Sequence, residues 1–368
     1  MLTANDTKAS TASTGPLGQM NVFDHEQLVF CNDNATGLRS IIAIHNTTLG
    51  PALGGTRMWA YATEAEALTD VLRLSRGMTY KAAVTGLNLG GGKAVIIGDA
   101  RKDKNEAMMR RFGKFVDSLG GKYITAEDVG IGTKDMEYVY METKHVTGIP
   151  VGLGGSGDPS PVTAYGVYMG MKASAKERWG NDSLSGKKVA VQGIGHVGSV
   201  LVDHLVKEGA KVFITDIFED RINEVKKKHP AVEFVAGEKL FDLDIDIYAP
   251  CALGATINDQ SLSKLKCSII CGAANNQLAD ENIHGKIVME KGILYAPDYV
   301  VIAGGLINVY SEVAHFGRDY ALAQAENIFN TTAAIFALSK KDNIPTFMAA
   351  NRTAEARIEA MARLKTKR

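Results

Sequence analysis

The chain has 368 residues, 45% of them hydrophobic and 22% charged, which is typical of a globular protein and predicts two domains. Acidic and basic residues balance at 41 each, so the charge gives no support for binding to nucleic acid or to an anionic membrane. No apolar run approaches the ~20 residues that cross a bilayer, so the sequence predicts no membrane helix.

The first residues and the cysteines both favour a cytoplasmic protein. Residues 1–20 are polar, lack the apolar core of a signal peptide and are predicted to be disordered. Cys267 and Cys271 lie close together in the sequence without further metal ligands nearby, so we predict free thiols and no metal site. The other two cysteines are Cys31 and Cys251.

Strands and helices alternate through the first half of the chain. Residues 48–57 are dense in Gly and Pro, so we predict a turn near a site there. Apolar and β-branched runs predict strands at 41–45, 94–97 and 123–126, and helical spacing predicts helices at 64–76 and 105–119.

Three consecutive glycines, from Gly90 to Gly92, precede Lys93. They do not form a Walker A loop, because the glycine spacing is wrong and Ala94 stands where that motif needs Ser or Thr. Because glycine lacks a Cβ, we expect a loop that lets a ligand lie close to the backbone. A second lysine, Lys81, lies twelve residues before Lys93. On these residues alone, a flexible turn with a solvated lysine is the alternative.

Two carboxylates, Glu127 and Asp128, follow the predicted strand at 123–126. Ligands of α/β proteins gather at the carboxyl ends of strands. We therefore expect Asp128 to belong to a binding site.

Residues 148–161 are rich in Gly and Pro and are predicted to link the two domains. The strands and helices that follow alternate, which is typical of a parallel, doubly wound sheet. The predicted strands are 188–192, 211–216, 245–248, 268–271 and 293–295, and the predicted helices are 162–179, 199–208, 320–339 and 347–365.

A G-x-G-x-x-G pattern lies between a predicted strand and a predicted helix, as a dinucleotide site requires. The first glycine permits a tight turn, the second admits the pyrophosphate and the third allows close packing. Asp216, which ends the next strand, is expected to bind the adenine ribose and to repel a 2′-phosphate, so NAD is favoured over NADP. A different nucleotide, or none, is the alternative. The pattern consists of Gly193, Ile194, Gly195, His196, Val197 and Gly198.

Two lysines and a nicotinamide cofactor suit the oxidative deamination of an amino acid. One lysine can bind the substrate carboxylate as a charge. The other can act as a general base on water if burial lowers its pKa from ~10.4. The cofactor would carry the hydride.

Several segments, taken in order, resemble the amino-acid dehydrogenase superfamily of glutamate, leucine, phenylalanine and valine dehydrogenases, and most closely its leucine-specific members. The resemblance extends from about Val22 to Leu364. The segments that carry it are 51–57, 76–81, 86–93, 125–130, 272–276 and 303–309.

The resemblance implies a role for each matching residue. Lys81 would bind the substrate α-carboxylate, and Lys93 would activate water for attack on the imino acid. Asp128 would hold the amine and shuttle protons. Thr163 would contact the nicotinamide amide, and Asn275 would line the same site.

The resemblance also implies an apolar side-chain pocket. Glutamate dehydrogenases carry a lysine where Leu53 stands and a serine where Val309 stands, so a distal carboxylate would be left unpaired here, at a cost of several kcal/mol. Members of the leucine-specific branch usually carry Val where Leu306 stands, which should reshape the pocket. The implied substrate-binding residues are Leu53, Gly54, Gly55, Lys81, Ala126, Leu306 and Val309.

The fold that follows is α/β with two domains: an N-terminal substrate domain and a Rossmann-type NAD-binding domain, with an active-site cleft between them. We place the substrate and oligomerisation domain at 1–149, the NAD domain at 150–335, and a helical segment that returns to the first domain at 336–368.

The expected function is NAD-dependent oxidative deamination of L-leucine and other branched-chain L-amino acids to 2-oxo acids and ammonia. The alternatives are a phenylalanine, tryptophan or valine dehydrogenase of this family, or a non-catalytic NAD-binding regulatory protein. The resemblance implies a homo-octamer with small-molecule substrates, and we expect neither nucleic acid nor membrane as a partner.

Overall fold

The computed structural model describes residues 15–365, and the chain forms two compact units. The first unit runs to Gly157 and includes the residues from Glu355 onward, and the second is Asp158–Ala354. The sequence prediction placed these divisions at 149/150 and 335/336. Residues 336–354 belong to the second unit instead, where Phe347 packs so closely on Gly285 that a Cβ there would lie 2.6 Å from the ring.

The first unit is built on a five-stranded sheet in the order β1-β2-β4-β3-β5. The β1–β2 and β2–β4 pairs are antiparallel, and β3 is parallel to both of its neighbours. Its elements are α1 Pro16–Phe23, β1 Gln27–Asp33, β2 Leu38–Asn46, β3 Ala52–Trp59, α2 Glu64–Val84, β4 Gly90–Ile97, α3 Glu106–Asp117, β5 Tyr123–Glu127 and α4 Thr133–Tyr140.

Strand β3 lies inside the sheet, so the predicted turn over residues 48–57 is wrong from Ala52 onward. The glycines that suggested a turn allow the neighbouring strands to approach. A Cβ on Gly54 would lie 1.7 Å from the Gly92 carbonyl oxygen, and one on Gly55 would lie 2.3 Å from the Glu127 carbonyl oxygen. Any larger residue at these positions would collide with backbone.

Helix α2 covers one face of this sheet. It begins at Glu64, where the Thr63 side chain accepts a hydrogen bond from the Glu66 N–H, a typical N-cap. It continues to Val84, so Lys81 lies on its last turn, beyond the end at residue 76 that the sequence predicts. Its apolar side packs against β2 and β4 through Val71, Leu72, Ala43 and Val95, among others.

The three glycines before Lys93 belong to β4 and are buried, and none of them has a positive φ. The expected loop is therefore wrong. The glycines clear space for the protein itself: a Cβ on Gly91 would lie 2.2 Å from the Thr79 nitrogen of α2, and one on Gly92 would lie 2.7 Å from the Tyr123 ring.

Helices α3 and α4 pack on the opposite face of the sheet. Phe112, Met109 and Val139 form the core there with apolar residues of β3 and β4. The Tyr123 ring fills the space that Gly92 leaves, and its hydroxyl donates to the Gly54 carbonyl at 2.6 Å. The two glycines thus hold a buried aromatic in place.

The second unit contains a six-stranded parallel sheet in the order β11-β10-β9-β6-β7-β8, which confirms the predicted doubly wound sheet. Apolar runs at β6, β7 and β9 form its centre, and short strands lie at its edges. Its elements are α5 Ser160–Trp179, β6 Lys188–Gln192, α6 His196–Lys207, β7 Lys211–Thr215, α7 Glu219–Lys228, β8 Glu233–Phe234, β9 Ile247–Pro250, α8 Asp259–Lys264, β10 Ile269–Ile270, α9 Glu281–Glu290, β11 Leu294–Tyr295, α10 Asp298–Val301, α11 Gly304–Val313, α12 Arg318–Glu326, α13 Ile328–Asp342 and α14 Thr346–Lys365.

The end of α14 completes the first unit. Glu355 accepts a hydrogen bond from the Tyr80 hydroxyl at 2.9 Å. The Arg357 guanidinium donates to the carbonyl oxygens of Leu87 at 2.7 Å and Gly86 at 2.9 Å, just past the end of α2. Arginine near the last carbonyls of a helix satisfies groups that have no partner within the helix.

Residues 1–14 of the segment that is predicted to be disordered lie outside the described residues. The prediction is wrong for residues 16–20, which belong to α1. The cysteines are free thiols, as predicted. Within residues 15–365, no helix has the length and apolarity to cross a bilayer.

Gly91→Ala should lower the free energy of unfolding by about 2 kcal/mol or more, because the new methyl group overlaps the Thr79 backbone and cannot move aside. The matched control is Gly77→Ala, where a Cβ on α2 meets no atom within 4 Å. That change should be neutral or stabilise the helix by up to about 1 kcal/mol. Urea unfolding followed by circular dichroism measures both, and equal stability of the two variants would contradict the packing argument.

Candidate active site

A buried ion pair joins Lys93 and Asp128 in the first unit. The Lys93 Nζ lies 3.0 Å from the Asp128 Oδ2, and Lys93 is only 6% exposed. Strand β3 lies between the two strands concerned, and Gly55 is what lets Asp128 approach. A Cβ on Gly55 would lie 3.0 Å from the Asp128 Cβ, tighter than ordinary contact. The structure therefore brings together two of the three predicted catalytic residues.

The ion pair belongs to a larger network that sequence reasoning missed. The Arg57 Nε also lies 3.0 Å from the Asp128 Oδ2, and a terminal nitrogen of Arg57 lies 3.0 Å from the Asp70 Oδ2. The Tyr61 hydroxyl donates to that same Asp70 oxygen at 2.6 Å. One feature of the sequence could have revealed this network: Arg57 lies two residues after Gly55, on a strand inside the sheet. An arginine in such a place needs carboxylate partners.

The environment of Lys93 lowers the pKa of its amine. Burial is the main cause, because the protonated form loses its hydration, and the nearby Arg57 charge adds to the effect. Asp128 works in the opposite direction, since it attracts the protonated form. The net shift is downward, toward the range in which a lysine can act as a base at neutral pH.

Asp128 stays ionised. Burial by itself would raise the pKa of its carboxyl, but the positive charges of Lys93 and Arg57 outweigh burial and hold that pKa below the ordinary value. Both cations contact the same oxygen, Oδ2. Among the described residues, none donates a hydrogen bond to the other oxygen, Oδ1, and the side chain is 23% exposed. One carboxylate oxygen is thus available to a bound molecule.

The strand register places two apolar candidates on the same sheet face as Lys93. Leu53 pairs with Gly91 on β4, and Gly55 pairs with Ala126 on β5. Because alternate residues of a strand share a face, Leu53, Ala126 and Lys93 all lie on the face that α2 covers. Leu53 is 2% exposed and Ala126 is 8% exposed.

Lys81 is placed by the same helix. It lies half-buried on the last turn of α2, two residues after Thr79, whose backbone contacts Gly91 of β4. Lys81 and Lys93 therefore belong to two elements that pack directly on each other.

In the second unit, the predicted dinucleotide turn joins β6 to α6. Gly193 has a φ of +96°, and a Cβ there would lie 2.6 Å from the Ala252 Cβ. A Cβ on Gly198 would lie 2.1 Å from the Gly193 carbonyl oxygen. By contrast, a Cβ on Gly195 would meet only the Arg221 guanidinium, at 3.7 Å. Two of the glycines thus build the turn, and the third leaves space above it.

Helix α6 begins at His196, with Gly195 as its N-cap. The first N–H groups of a helix have no partner within it, and they favour an anion. Together with the space at Gly195, this turn fits the pyrophosphate of a dinucleotide. His196 and Val197 lie in the first turn of the helix, and His196 is exposed there.

Asp216 lies directly after β7, next to this turn. Its Oδ2 accepts a hydrogen bond from the Ile194 N–H at 2.8 Å, and its Oδ1 accepts one from the Phe218 N–H at 3.0 Å. Arg221 is 3.9 Å from the same Oδ2. Asp216 therefore holds the turn in shape, and each of its oxygens keeps a lone pair that can accept a ribose hydroxyl.

Thr163 and Asn275 lie at two other places in the second unit. Thr163 is in the first turn of α5, and a Cβ on Gly305 of α11 would lie 3.1 Å from its Oγ1. Asn275 is exposed in the loop after β10, and its carbonyl oxygen packs on Gly254 after β9. Since β6, β9 and β10 are parallel neighbours, Asn275 and the dinucleotide turn lie at the same edge of the sheet.

Leu306 and Val309 lie on α11, with Leu306 buried and Val309 half-buried. They belong to the second unit, whereas Leu53 and Ala126 belong to the first. Their place in a substrate pocket stays a prediction.

Comparison with protein families assigns both halves of the chain. A model of the Glu/Leu/Phe/Val dehydrogenase dimerisation domain matches residues 25–145. A model of the glutamate/leucine/phenylalanine/valine dehydrogenases matches residues 154–217 and 214–363.

Individual proteins are similar along nearly the whole chain. Leucine dehydrogenase from Thermoactinomyces intermedius is 56% identical over 347 residues, which is 94% of either chain. Valine dehydrogenase from Streptomyces virginiae is 53% identical over 336 residues, covering 91% of this chain and 94% of that one. The crystal structure of L-tryptophan dehydrogenase from Nostoc punctiforme has a TM-score of 0.85 and 44% identity, covering 94% of this chain and 99% of that one.

Lys93→Met should leave the free energy of unfolding within about 1 kcal/mol of the wild type, or raise it, because a buried charge is replaced by an apolar chain of similar length. Asp128→Ala should instead destabilise by about 2 kcal/mol or more, because it leaves Arg57 and Lys93 facing each other without a carboxylate between them. Urea unfolding of both variants measures the difference. A large loss of stability in Lys93→Met would show that the lysine serves the fold.

Proposed function

The chain belongs to the Glu/Leu/Phe/Val dehydrogenase family and is an amino-acid dehydrogenase, and from this premise we propose that it deaminates L-leucine and other branched-chain L-amino acids oxidatively. The products are the 2-oxo acid and ammonia, and the reaction is reversible. The observation that carries the proposal is the buried Lys93 amine, 3.0 Å from a carboxylate that still has one oxygen available.

The first proton is handled by Asp128. Its Oδ1 takes a proton from the substrate ammonium, which frees the nitrogen lone pair before the hydride leaves the α-carbon. When bound, the nicotinamide supplies a hydride acceptor. The substrate is then an iminium, and Asp128 is protonated beside it.

Lys93 handles the water. Its neutral amine removes a proton from water while the water oxygen attacks the iminium carbon, which gives a neutral carbinolamine and a lysine ammonium. Asp128 then returns its proton to the nitrogen. The C–N bond breaks, the hydroxyl proton leaves with ammonia as ammonium, and Lys93 releases its own proton to solvent. The carboxylate and the amine are back in their starting forms.

Substrate binding follows from charge and shape. Lys81, a compact ammonium on the last turn of α2, is proposed to bind the α-carboxylate. Leu53 and Ala126 supply apolar surface on the Lys93 face of the sheet, with Gly54 and Gly55 between them in the register. A charged substrate side chain there would lose its hydration without gaining a partner, so aliphatic side chains are favoured. Leu306 and Val309 are proposed to complete the pocket.

A nicotinamide dinucleotide is the cofactor class of this family, and we propose that the chain prefers NAD. Asp216 supports the preference, because its carboxylate lies beside the dinucleotide turn and would repel a 2′-phosphate. Thr163 and Asn275 are proposed to contact the nicotinamide end.

The assembly and location are also proposals. The family model over residues 25–145 is that of a dimerisation domain, which supports a homo-oligomer, and we propose an octamer in the cytoplasm. Its partners would be small molecules, with neither nucleic acid nor membrane among them.

Purified protein supplied with NAD should form NADH with Leu, Val and Ile at kcat/KM values within about 200-fold of one another, since an apolar pocket discriminates a methylene weakly. Glu should react at a rate far below these, because its distal carboxylate has no cationic partner in the proposed pocket. NADH absorbance measures the rates, and Lys93→Met, which we expect to keep the fold, is the matched control for background reduction.

Three outcomes would decide against the proposal. Faster turnover of Phe or Trp than of Leu would assign an aromatic dehydrogenase, and faster turnover of Val alone would assign a valine dehydrogenase. No NADH from any amino acid would favour a regulatory NAD-binding protein.

Asp216→Asn should reduce the preference for NAD over NADP by about tenfold or more, because it removes the charge that repels the 2′-phosphate. The amide oxygen can still accept the hydrogen bond from Ile194, so the turn keeps its support. Arg221, 3.9 Å from the carboxylate, would then be able to pair with the phosphate. The ratio of kcat/KM values for the two cofactors is the measurement, and an unchanged ratio would remove Asp216 from cofactor selection.

A further inference from the structure

We propose that Arg57 is a positioning residue of the deamination site: it compensates the charge of Asp128 on Oδ2, so that Lys93 can release its proton while Oδ1 stays directed to the substrate amine. This inference rests on the proposed function for its chemistry. Its structural basis consists only of contacts within the first unit.

Arg57 and Lys93 share one carboxylate oxygen of Asp128. Arg57 Nε and Lys93 Nζ each lie 3.0 Å from the same oxygen of Asp128. A carboxylate with a single buried lysine partner would bind the lysine proton tightly, because losing that proton would leave the carboxylate unpaired in a poorly hydrated place. With Arg57 present, the carboxylate keeps a cation throughout the cycle. The free energy needed to remove the proton from Lys93 is then much lower.

Arg57 cannot take over the role of Lys93 as the group that releases a proton. An arginine side chain does not lose its proton in proteins, so its charge is constant at every working pH. Arg57 is also anchored from behind: Asp70 on α2 binds one of its terminal nitrogens, and Tyr61 donates to the same Asp70 oxygen. Burial and the Asp70 charge raise the pKa of the Tyr61 hydroxyl, which therefore stays a donor. The guanidinium is held between a helix and the catalytic carboxylate.

The charges that act on Lys93 come from three elements. Asp128 after β5 and Asp70 on α2 favour its protonated form, and Arg57 on β3 disfavours it. On the other side of β4, the residue paired with Lys93 is Ala43 of β2, which carries no charge. Arg57 is thus the cation in this set that opposes protonation of Lys93, so its removal should raise the pKa of Lys93.

The shared contacts also orient the Asp128 carboxylate. Because both cations contact Oδ2, they fix the rotation of the carboxylate about the Cβ–Cγ bond of Asp128. Oδ1 has no hydrogen-bond donor among the described residues. Without Arg57, Lys93 alone would contact the carboxylate, and either oxygen could take that contact. A correct orientation of Oδ1 is what the substrate ammonium needs.

The experiment compares Arg57→Met with Arg57→Lys in the full-length protein. The titration midpoint of Lys93 is measured by competitive acetylation with acetic anhydride and mass spectrometry, and kcat/KM for L-leucine is measured across pH with saturating NAD. In Arg57→Met both midpoints should move upward by about one pH unit or more, since a neighbouring cation is lost. Activity near pH 7 should fall about tenfold or more and should partly recover at higher pH.

Arg57→Lys separates charge from placement. It keeps a cation near Asp128, so the Lys93 midpoint should stay close to that of the wild type. A lysine lacks the fork that reaches both Asp70 and Asp128, so the KM for L-leucine should rise severalfold. The control is Arg110→Met, which removes a hydrogen bond of 2.6 Å to Glu142 on the other side of the same unit and should leave both midpoints and kcat/KM unchanged.

The inference is overturned if the Lys93 midpoint is the same in Arg57→Met as in the wild type, even when the rate falls equally at all pH values, since that is the behaviour of a structural residue. If Arg57→Met does not fold, wild-type values of both midpoint and KM in Arg57→Lys overturn it. A wild-type protein that deaminates no amino acid would defeat the proposed function. The labelling result would still decide whether Arg57 controls the Lys93 proton.

Discussion

Taking Lys93 and Asp128 out of water costs more free energy than an exposed ion pair would, and much of the first unit is arranged to meet that cost. Lys93 lies on β4 and Asp128 directly follows β5, on the two sides of β3, and Gly55 of β3 has no side chain to keep them apart. Arg57 adds a second cation to the Asp128 oxygen that Lys93 contacts, so the carboxylate charge does not depend on the lysine alone. The glycines, the inner strand and the arginine are therefore parts of one electrostatic arrangement.

Close backbone packing brings together the two elements that carry Lys81 and Lys93. Gly91 lets α2 lie against β4, and this contact places Lys81 on an element adjoining the one that carries Lys93. Gly92 admits the Tyr123 ring from the opposite face, so the strand is fixed from both sides. Side chains on this segment would give more apolar burial but would push the helix away. The glycines forgo that burial, and α2 packs directly on β4 as a result.

The sequence allowed much of this arrangement to be predicted, and the limits have physical causes. The dinucleotide turn could be predicted because strand, glycine spacing, helix and acid are all local features, and the parallel sheet around it is confirmed. Strand β3 could not be predicted, because a glycine pair such as Gly54-Gly55 occurs both in turns and in strands that pack closely against neighbouring backbone. The Arg57–Asp70 contact joins a strand to a helix through side-chain geometry, which no local pattern encodes. The placement of Lys81 was missed for a simpler reason: α2 continues through Gly77, a residue that usually weakens a helix.

The Arg357 contacts have a consequence for how the chain reaches its final form during synthesis. The loop after α2 receives hydrogen bonds from a residue 270 positions later in the chain. A ribosome releases the amino-terminal part of a protein first, so residues 158–354 emerge before this clamp exists. The strands of the first unit can pair early, but the segment between Lys81 and Lys93 gets the hydrogen-bond donors of Arg357 only after the whole second unit has been made. Contacts this distant in sequence form slowly, so the substrate-binding half matures last although it is made first.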